Sequence, residues 1–499
     1  DDAEPALSTF DLTPSEPGET FLRARWLWLR GLGLIFFSAF YSLWFQIHGL
    51  IGSQGLLPAH DYLDLAKRVA GARGYWIAPT ILWINDSDTM LTAIVVVGAI
   101  ASLTLIFNVL PRFSIAIAFV CFLSFIGAAQ DFASYQSDGM LLEAAFLSLF
   151  LGEKKAAPSR AARFLLVWEW FRIYFESGLV KILSGEVQWR NLTAMDKYYE
   201  NGPLPTWIGW HAQQLPHGFH AATAATTLIV ELFIVWFGIF PSRWSRVTCF
   251  VIGTLLQIGI IATANYAFLN YLVLALGIWL LDDTVLGRVW ADGRRPAARG
   301  RAQPATPPAA SRQLQAASLI AAIILTAHFL TTSVMFFFPS FPLAVALAPT
   351  RIVNNFGLFA VMTRARYEIE FQGTRDGKTW VAYPFRYKPQ DVKKAPGIYA
   401  PYQPRFDWNL WFASLGTVDE NAFVMNTEAR LLENSKQALE LFAGNPFGAQ
   451  PPTAVRAVQW QYWFTTRTER ARTGAWWKRE LIGLYAPVAR REHGVIEFE

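Results

Sequence analysis

RFLLVWEWFRIYFESGLVKIL, residues 163–183, is long enough to cross a bilayer, yet it carries Glu169, Arg172, Glu176 and Lys181. A charge at the centre of a hydrocarbon core costs about 3 kcal/mol even on lenient insertion scales. Four charges in one span therefore face a protein interior or a wet cavity, and this segment belongs inside a bundle of other spans. Glu169, Arg172 and Glu176 stand at i, i+3 and i+7, so they share one helix face and can form an intramembrane charge ladder. That ladder reads either as a structural ion pair or as a substrate or proton site. Lys181 lies well over a right angle away from it, at the far end of the helix. It reads either as a snorkelling interfacial cation or as a general base.

Outward from this helix the chain keeps the same character. Of its 499 residues 53% are hydrophobic and only 16% charged, which excludes an ordinary soluble domain. Further apolar stretches at 31–50, 90–110, 113–130, 139–151, 222–240, 247–264, 266–281 and 315–338 bring the count of candidate spans to nine. The run from Val247 to Leu281, taken as one helix, would be about 52 Å long, too long for a single crossing. A break near Asn265 makes it a hairpin. With the N-terminus inside, sixteen Lys and Arg fall on the cytoplasmic side, against five on the other (Lys67, Arg68, Arg73, Arg190 and Lys197). The first set includes Arg112, Lys154, Lys155, Arg243, Arg246, Arg294 and Arg295. This is the asymmetry that the positive-inside rule requires, and it retains the short fourth span. The net charge of +5 thus reports topology and not nucleic-acid binding.

The expected architecture is a polytopic α-helical membrane bundle over 21–340, preceded by a disordered tail at 1–20. An Arg-, Ala- and Pro-rich cytoplasmic linker at 282–313 interrupts it. From about 349 the pattern changes. RYEIEFQG, a TRDG turn and KTWVAYPFRYK read as a hairpin around Asp376-Gly377, helical patterning follows near 429–443, and aromatic strand patterning near 455–466. Residues 349–499 are expected to form an extracytoplasmic, β-rich, sandwich-like domain.

Several tempting signals reduce to bland ones. GTRDGKT (373–379) has three residues between its glycines where a phosphate-binding loop has four, and it sits on a hairpin turn. His211, His217 and His220 match no standard zinc spacing, so no metal site is expected. Cys121 and Cys249 fall in apolar spans and carry no CxxC motif, which leaves neither a disulfide scaffold nor a thiol-exchange site.

Asp138 and Glu143 sit where the fourth span begins and Lys181 where the fifth ends. Antiparallel neighbours would bring Asp138 and Lys181 to similar depth, as a salt bridge or as the rim of an outward-facing cavity. Lys181, Asp138 and Glu143 are therefore the candidate catalytic residues. In the outer domain, Arg405, Asp407, Trp408 and Trp411 are candidates for client contact or for scaffold, since Trp and Arg dominate binding hot spots. Arg405 and Asp407 equally suit a structural pair.

Two resemblances add to this. YQPRFDWNLWFASLG (402–416), LLENS (431–435), NPF (445–447), PPTAVRA (451–457) and YWFT (462–465) resemble the lipase maturation factor family. So does RWLWLRGLGLIFFSAFYSLWFQIHGLIGSQGLLPA (25–59). Members are polytopic membrane proteins, in animals of the endoplasmic reticulum, needed for secreted dimeric lipases to reach active form. YFESGLVKILSGEVQW (174–189) is more distantly similar to a segment of vitamin K-dependent γ-carboxylases. Tyr174, Phe175, Gly178 and Lys181 form the shared core, with Ser177 for Ala and Trp189 displaced. That similarity places Lys181 on the lysine that deprotonates vitamin K hydroquinone. Ser137-Asp138 stands where the carboxylases have Asn-His, so shared bundle ancestry is the stronger implication.

The expectation is a membrane-anchored, non-enzymatic maturation factor for a secreted lipase-like client. Its membrane would be a bacterial inner membrane or the endoplasmic reticulum. Its partners are that client and membrane lipid, not nucleic acid, and it needs no cofactor, although a bound lipid or quinone fits the bundle. The alternative is an integral membrane enzyme acting on a quinone- or lipid-like substrate through Lys181. A transporter is a weaker reading, because no inverted repeat is seen.

Overall fold

The computed structural model describes residues 19–133, 135–152, 156–289, 312–493 and 495–499. Most of the expected tail at 1–20 and of the linker at 282–313 lies outside the described residues, as do Lys154, Lys155, Arg294 and Arg295. Each of the nine apolar stretches contains a helix. These are α1 (Leu22–Trp44), α2 (Asp88–Ile106), α3 (Pro111–Ile126), α4 (Gln136–Ser148), α5 (Arg160–Leu183), α6 (His217–Leu232), α7 (Arg243–Thr263), α8 (Leu269–Gly277) and α9 (Arg312–Val334). Local chemistry sets several starts. Ser87 and Ser159 accept from the backbone of Met90 and Ala162 at the N-caps of α2 and α5. Pro111 occupies the first turn of α3, where a missing N–H costs nothing.

Among the described residues, five helical segments have both the length and the composition to cross a membrane: α1, α2, α6 with its extension to Gly238, α7, and Gln315–Val334 within α9. α5 has the length, 24 residues, and is set apart by its charges. α4 is different. Its 13 residues reach only about 20 Å, short of a hydrocarbon core of about 30 Å. Met140, Leu141, Leu142, Ala144, Ala145 and Leu147 are all fully buried, so α4 is a core helix wrapped by its neighbours. The run from α7 to α8 breaks at 264–268, where Asn265 donates to the carbonyls of Leu204 and Gly397 and accepts from the amides of Tyr399 and Ala400.

The C-terminal region builds one antiparallel sheet, which corrects the sandwich expectation. Its strands are β1 (Arg366–Thr374), β2 (Val381–Ala382), β3 (Ala454–Phe464), β4 (Trp477–Leu484), β5 (Ala489–Glu492) and β6 (Val495–Phe498), in the order β2-β1-β3-β5-β6 with β4 also paired to β3. The β1–β2 hairpin turns through Asp376 and Gly377, whose φ of 71° suits glycine. No second sheet is needed, because helices take its place. Helix α10 (Arg405–Ala413), helix α11 (Phe423–Leu432) and the segment after them cover the face bearing Ile369 and Phe371. There Phe371 meets Phe406 and Phe442, with ring centroids 6.5 and 6.0 Å apart. The helical patterning near 429–443 resolves into α11 and the short helix Lys436–Leu439, divided at Asn434, whose φ is 60°.

Candidate functional site

The charges of α5 hold a strap of irregular backbone. After α9 the chain passes along α5 before entering β1, and its main-chain groups find partners there in sequence. Arg172 donates to the carbonyl of Asn354 at 2.8 Å, and Glu176 accepts from the amide of Phe356 at 2.8 Å. Ser177 accepts from Leu358 N at 3.2 Å, while Lys181 donates to Leu358 O at 3.0 Å. Trp189 and Ser184 bind the carbonyls of Phe359 and Ala360 at 3.0 and 3.1 Å. Non-helical backbone beside a membrane helix must be satisfied by protein groups, which explains why so many polar side chains line one helix.

The expected ladder of Glu169, Arg172 and Glu176 is thus redrawn. Arg172 pairs chiefly with Glu143 of α4, and its Nη1 lies 3.9 Å from Glu176. Glu143 also lies 3.2 Å from His328 of α9 and accepts from the side chain of Asn354 at 3.0 Å. Four segments of chain therefore meet at Glu143. Glu169 stands apart: both carboxylate oxygens are buried and accept no hydrogen bond from a described residue.

Lys181 is buried and saturated. Its ammonium donates to Glu231 of α6 at 2.7 Å, to Leu358 O and to Ser177 O, and lies 5.2 Å from the Trp189 ring. An ammonium has three donors, and all three are engaged. A small cavity of about 60 Å³ adjoins it, lined among others by Tyr174, Gln257 and Asn270. The expected pairing of Lys181 with Asp138 is not formed. Asp138 instead takes both Nη atoms of Arg405 at 2.8 Å. Lys181, Asp138 and Glu143 consequently belong to three separate networks, and no common reaction centre joins them.

The four client candidates of the C-terminal region are buried, so they form no exposed surface. Arg405 also donates to Phe132 O at 2.7 Å and lies over the rings of Phe125 and Tyr135. Trp408 packs on Tyr135 and Tyr266, and Trp411 on Phe412. Arg405 and Asp407 do not pair, because residues two apart on a helix point to different sides. Asp407 accepts from the amides of Tyr387 and Lys388, and burial pushes its carboxyl up to about 6. A second seam centres on Arg366, which donates to the carbonyls of Glu200, Gly202 and Pro203 and to Glu368.

The expected decoys have plain roles. Asp376 accepts from Lys378 N and Thr379 N, which hold its carboxyl far below the usual range. His220 binds the carbonyls of Met195 and Leu215, and His217 binds Asp196. Among the described residues no group of three or more His, Cys, Asp or Glu is arranged to hold a metal ion. Both cysteines are free and buried. The partners that sequence reasoning missed are Glu231, His328, Asn354 and Arg366. Glu231 and His328 each sit alone in an apolar stretch, and a lone ionisable group in a span is itself a signal of a partner. Asn354 and Arg366 carried none.

Comparison with known proteins matches this layout. Residues 23–288 match the family model described as the lipase maturation factor transmembrane domain, and residues 352–487 match that of the lipase maturation factor C-terminal domain. The strap contacts from Asn354 to Ala360 therefore lie just inside the start of the second match. Lipase maturation factor 1 of Bos taurus is 32% identical over 95% of this chain and 90% of its own length. That of Homo sapiens is 29% identical over 94% and 88%. Lipase maturation factor 2 of Gallus gallus is 28% identical over 94% and 82%. No solved structure matches the chain. With both domain models matched in order and near-complete coverage of relatives above 30% identity, this integral membrane protein belongs to the lipase maturation factor family.

Proposed function

We propose that this chain is a membrane-anchored maturation factor that engages a secreted, lipase-like client on the extracytoplasmic side. The observation that carries the reading is the end-to-end match, transmembrane domain then C-terminal domain, to proteins named for lipase maturation. The distribution of Lys and Arg supports this reading: with the N-terminus inside and the short α4 counted as one of nine crossings in spite of its length, the sheet would lie outside the cytoplasm. The membrane is that of the endoplasmic reticulum or a bacterial inner membrane.

With Trp408 and Trp411 buried, the client surface is better sought on the sheet face turned away from α10. There Arg479 stacks on Trp460 and Arg456 on Trp380, each 4.1 Å from ring centroid, beside exposed Leu481 and Leu484. Trp and Arg are the side chains that concentrate binding energy in interfaces. Catalysis through Lys181 is the disfavoured alternative, since its donors are all committed to Glu231 and to backbone.

The test is co-expression with a secreted lipase in cells lacking their own maturation factor. The expected result is a gain in specific activity of the secreted lipase, which Trp460→Ala with Arg479→Ala reduces while membrane levels of the factor hold. Equal lipase activity with and without the factor overturns the proposal.

A further inference from the structure

At the C-terminal end of α1, where the helix meets the C-terminal region, lies a half-open groove of about 450 Å³. This is within the size range of small-molecule sites, about 300–1,000 Å³. Its walls hold Tyr41, Tyr387 and Tyr402, two carboxylates, Asp407 and Glu440, and a single cation, Arg386. The tyrosines adjoin one another: Tyr402 lies 6.3 Å from Tyr41 at 81° and 5.2 Å from Tyr387 at 34°.

The two carboxylates point to a cation. Asp407 is 2% exposed and uses Oδ1 for the amides of Tyr387 and Lys388, while Oδ2 accepts no hydrogen bond from a described residue. Glu440 has an exposed side chain with no ion pair among the described residues, and its carbonyl accepts from Arg386 at 3.1 Å. Tyrosine faces next to buried negative charge are the chemistry that recognises a methylated ammonium, whose positive charge is spread over carbon and needs no hydrogen-bond acceptor. A primary ammonium carries three N–H donors that each need an acceptor, and aromatic faces do not supply them.

The position chooses the source of that cation. α1 is one of the helices long and apolar enough to span the membrane, and at its end Tyr41, Trp44 and Phe45 are each about half exposed, at 51%, 52% and 50%. Aromatic side chains at a helix end mark the headgroup level of a bilayer. Arg386 beside the carboxylates supplies a partner for a phosphate next to the ammonium. We propose that this groove binds the zwitterionic headgroup of a choline phospholipid, the trimethylammonium among Tyr41, Tyr387, Tyr402, Asp407 and Glu440 and the phosphate toward Arg386. The proposal rests on the groove and the membrane helix, and it stands whatever the client is.

The test uses the full chain purified in detergent and native mass spectrometry with short-chain phospholipids added below their micellar concentrations. Phosphatidylcholine is expected to be retained at least about tenfold more tightly than phosphatidylglycerol or phosphatidylethanolamine of the same chains, and Tyr41→Leu with Glu440→Gln to abolish that preference. Both changes are at exposed side chains, so folding is checked by thermal unfolding alongside, and Asp407→Asn serves as the buried counterpart. Equal retention of the three lipids overturns the proposal, as does a preference that survives Tyr41→Leu with Glu440→Gln. Free choline binding as tightly as phosphatidylcholine assigns the groove to a soluble cation and overturns the lipid source.

Discussion

Arg405 and Asp138 clasp each other through two parallel hydrogen bonds of 2.8 Å, both side chains 1% exposed, across the seam between α10 and α4. A buried bidentate pair fixes orientation as well as contact, because the guanidinium fork matches only one carboxylate plane. It joins the C-terminal region to the core helix of the bundle.

Breaking that clasp from one side leaves the other charge buried and alone. Arg405→Met is expected to destabilise the protein by about 3–5 kcal/mol, and Arg405→Lys by a large part of that, since lysine cannot bind in bidentate fashion. The double change Arg405→Met with Asp138→Leu is expected to be less harmful than Arg405→Met alone. Thermal unfolding of the detergent-purified variants checks this; a double variant as unstable as the sum of its parts sinks the pairing argument.

The same logic separates structure from chemistry at Lys181. If its ammonium serves only to hold Glu231 and Leu358 O, then Lys181→Met damages folding and the compensating pair Lys181→Met with Glu231→Leu recovers most of the lost expression and lipase-maturing activity. A chemical role predicts the opposite: a folded double variant without activity. Membrane level and secreted lipase activity, measured together, decide between them.

Much of the bundle was legible because membrane helices write themselves into sequence: each of the nine apolar stretches holds a helix, and Asn265 marked the break between α7 and α8. The hairpin at Asp376-Gly377 was legible from turn chemistry. Partnerships were not. The i, i+3, i+7 spacing put Glu169, Arg172 and Glu176 on one face, but nothing in α5 said that the strap from Asn354 to Ala360 would lie there. Depth matching likewise paired Asp138 with Lys181, whereas Arg405, 267 positions away in sequence, takes that carboxylate. The sandwich expectation counted strand patterning and had no signal for helices covering the sheet.

Close packing between α1 and α2 gives an independent check on the bundle. A Cβ added at Gly98 would collide with the Phe40 ring, which is fully buried and already packed against Phe122 at 5.9 Å. The ring has no open side to swing into. Gly98→Ala is therefore expected to lower stability by about 1–3 kcal/mol in spite of alanine's better helix propensity. Gly98→Ala with Phe40→Leu, which removes the clash, is expected to be more stable than Gly98→Ala alone. Melting temperatures of the three proteins settle it, and a stabilised Gly98→Ala contradicts the packing described.

Glu428 supplies a pH dependence with a definite sign. It lies on α11 beneath the sheet, fully buried, with only the backbone of Ala457 to offset the loss of solvent. Burial pushes its carboxyl from 4.5 up to about 9. The folded protein thus keeps this proton between pH 4.5 and about 9 while the unfolded chain has released it. Its contribution is fully present below pH 4.5, declines by about 1.4 kcal/mol per pH unit through that window, and levels off above about 9. Glu428→Gln keeps the shape without the ionisation, so the variant is expected to gain on the natural protein as pH rises, by roughly 3 kcal/mol at neutral pH. Thermal unfolding between pH 5 and pH 9 gives the comparison. Parallel curves for the two proteins across that range mean that Glu428 is ionised in the folded state and the assignment is wrong.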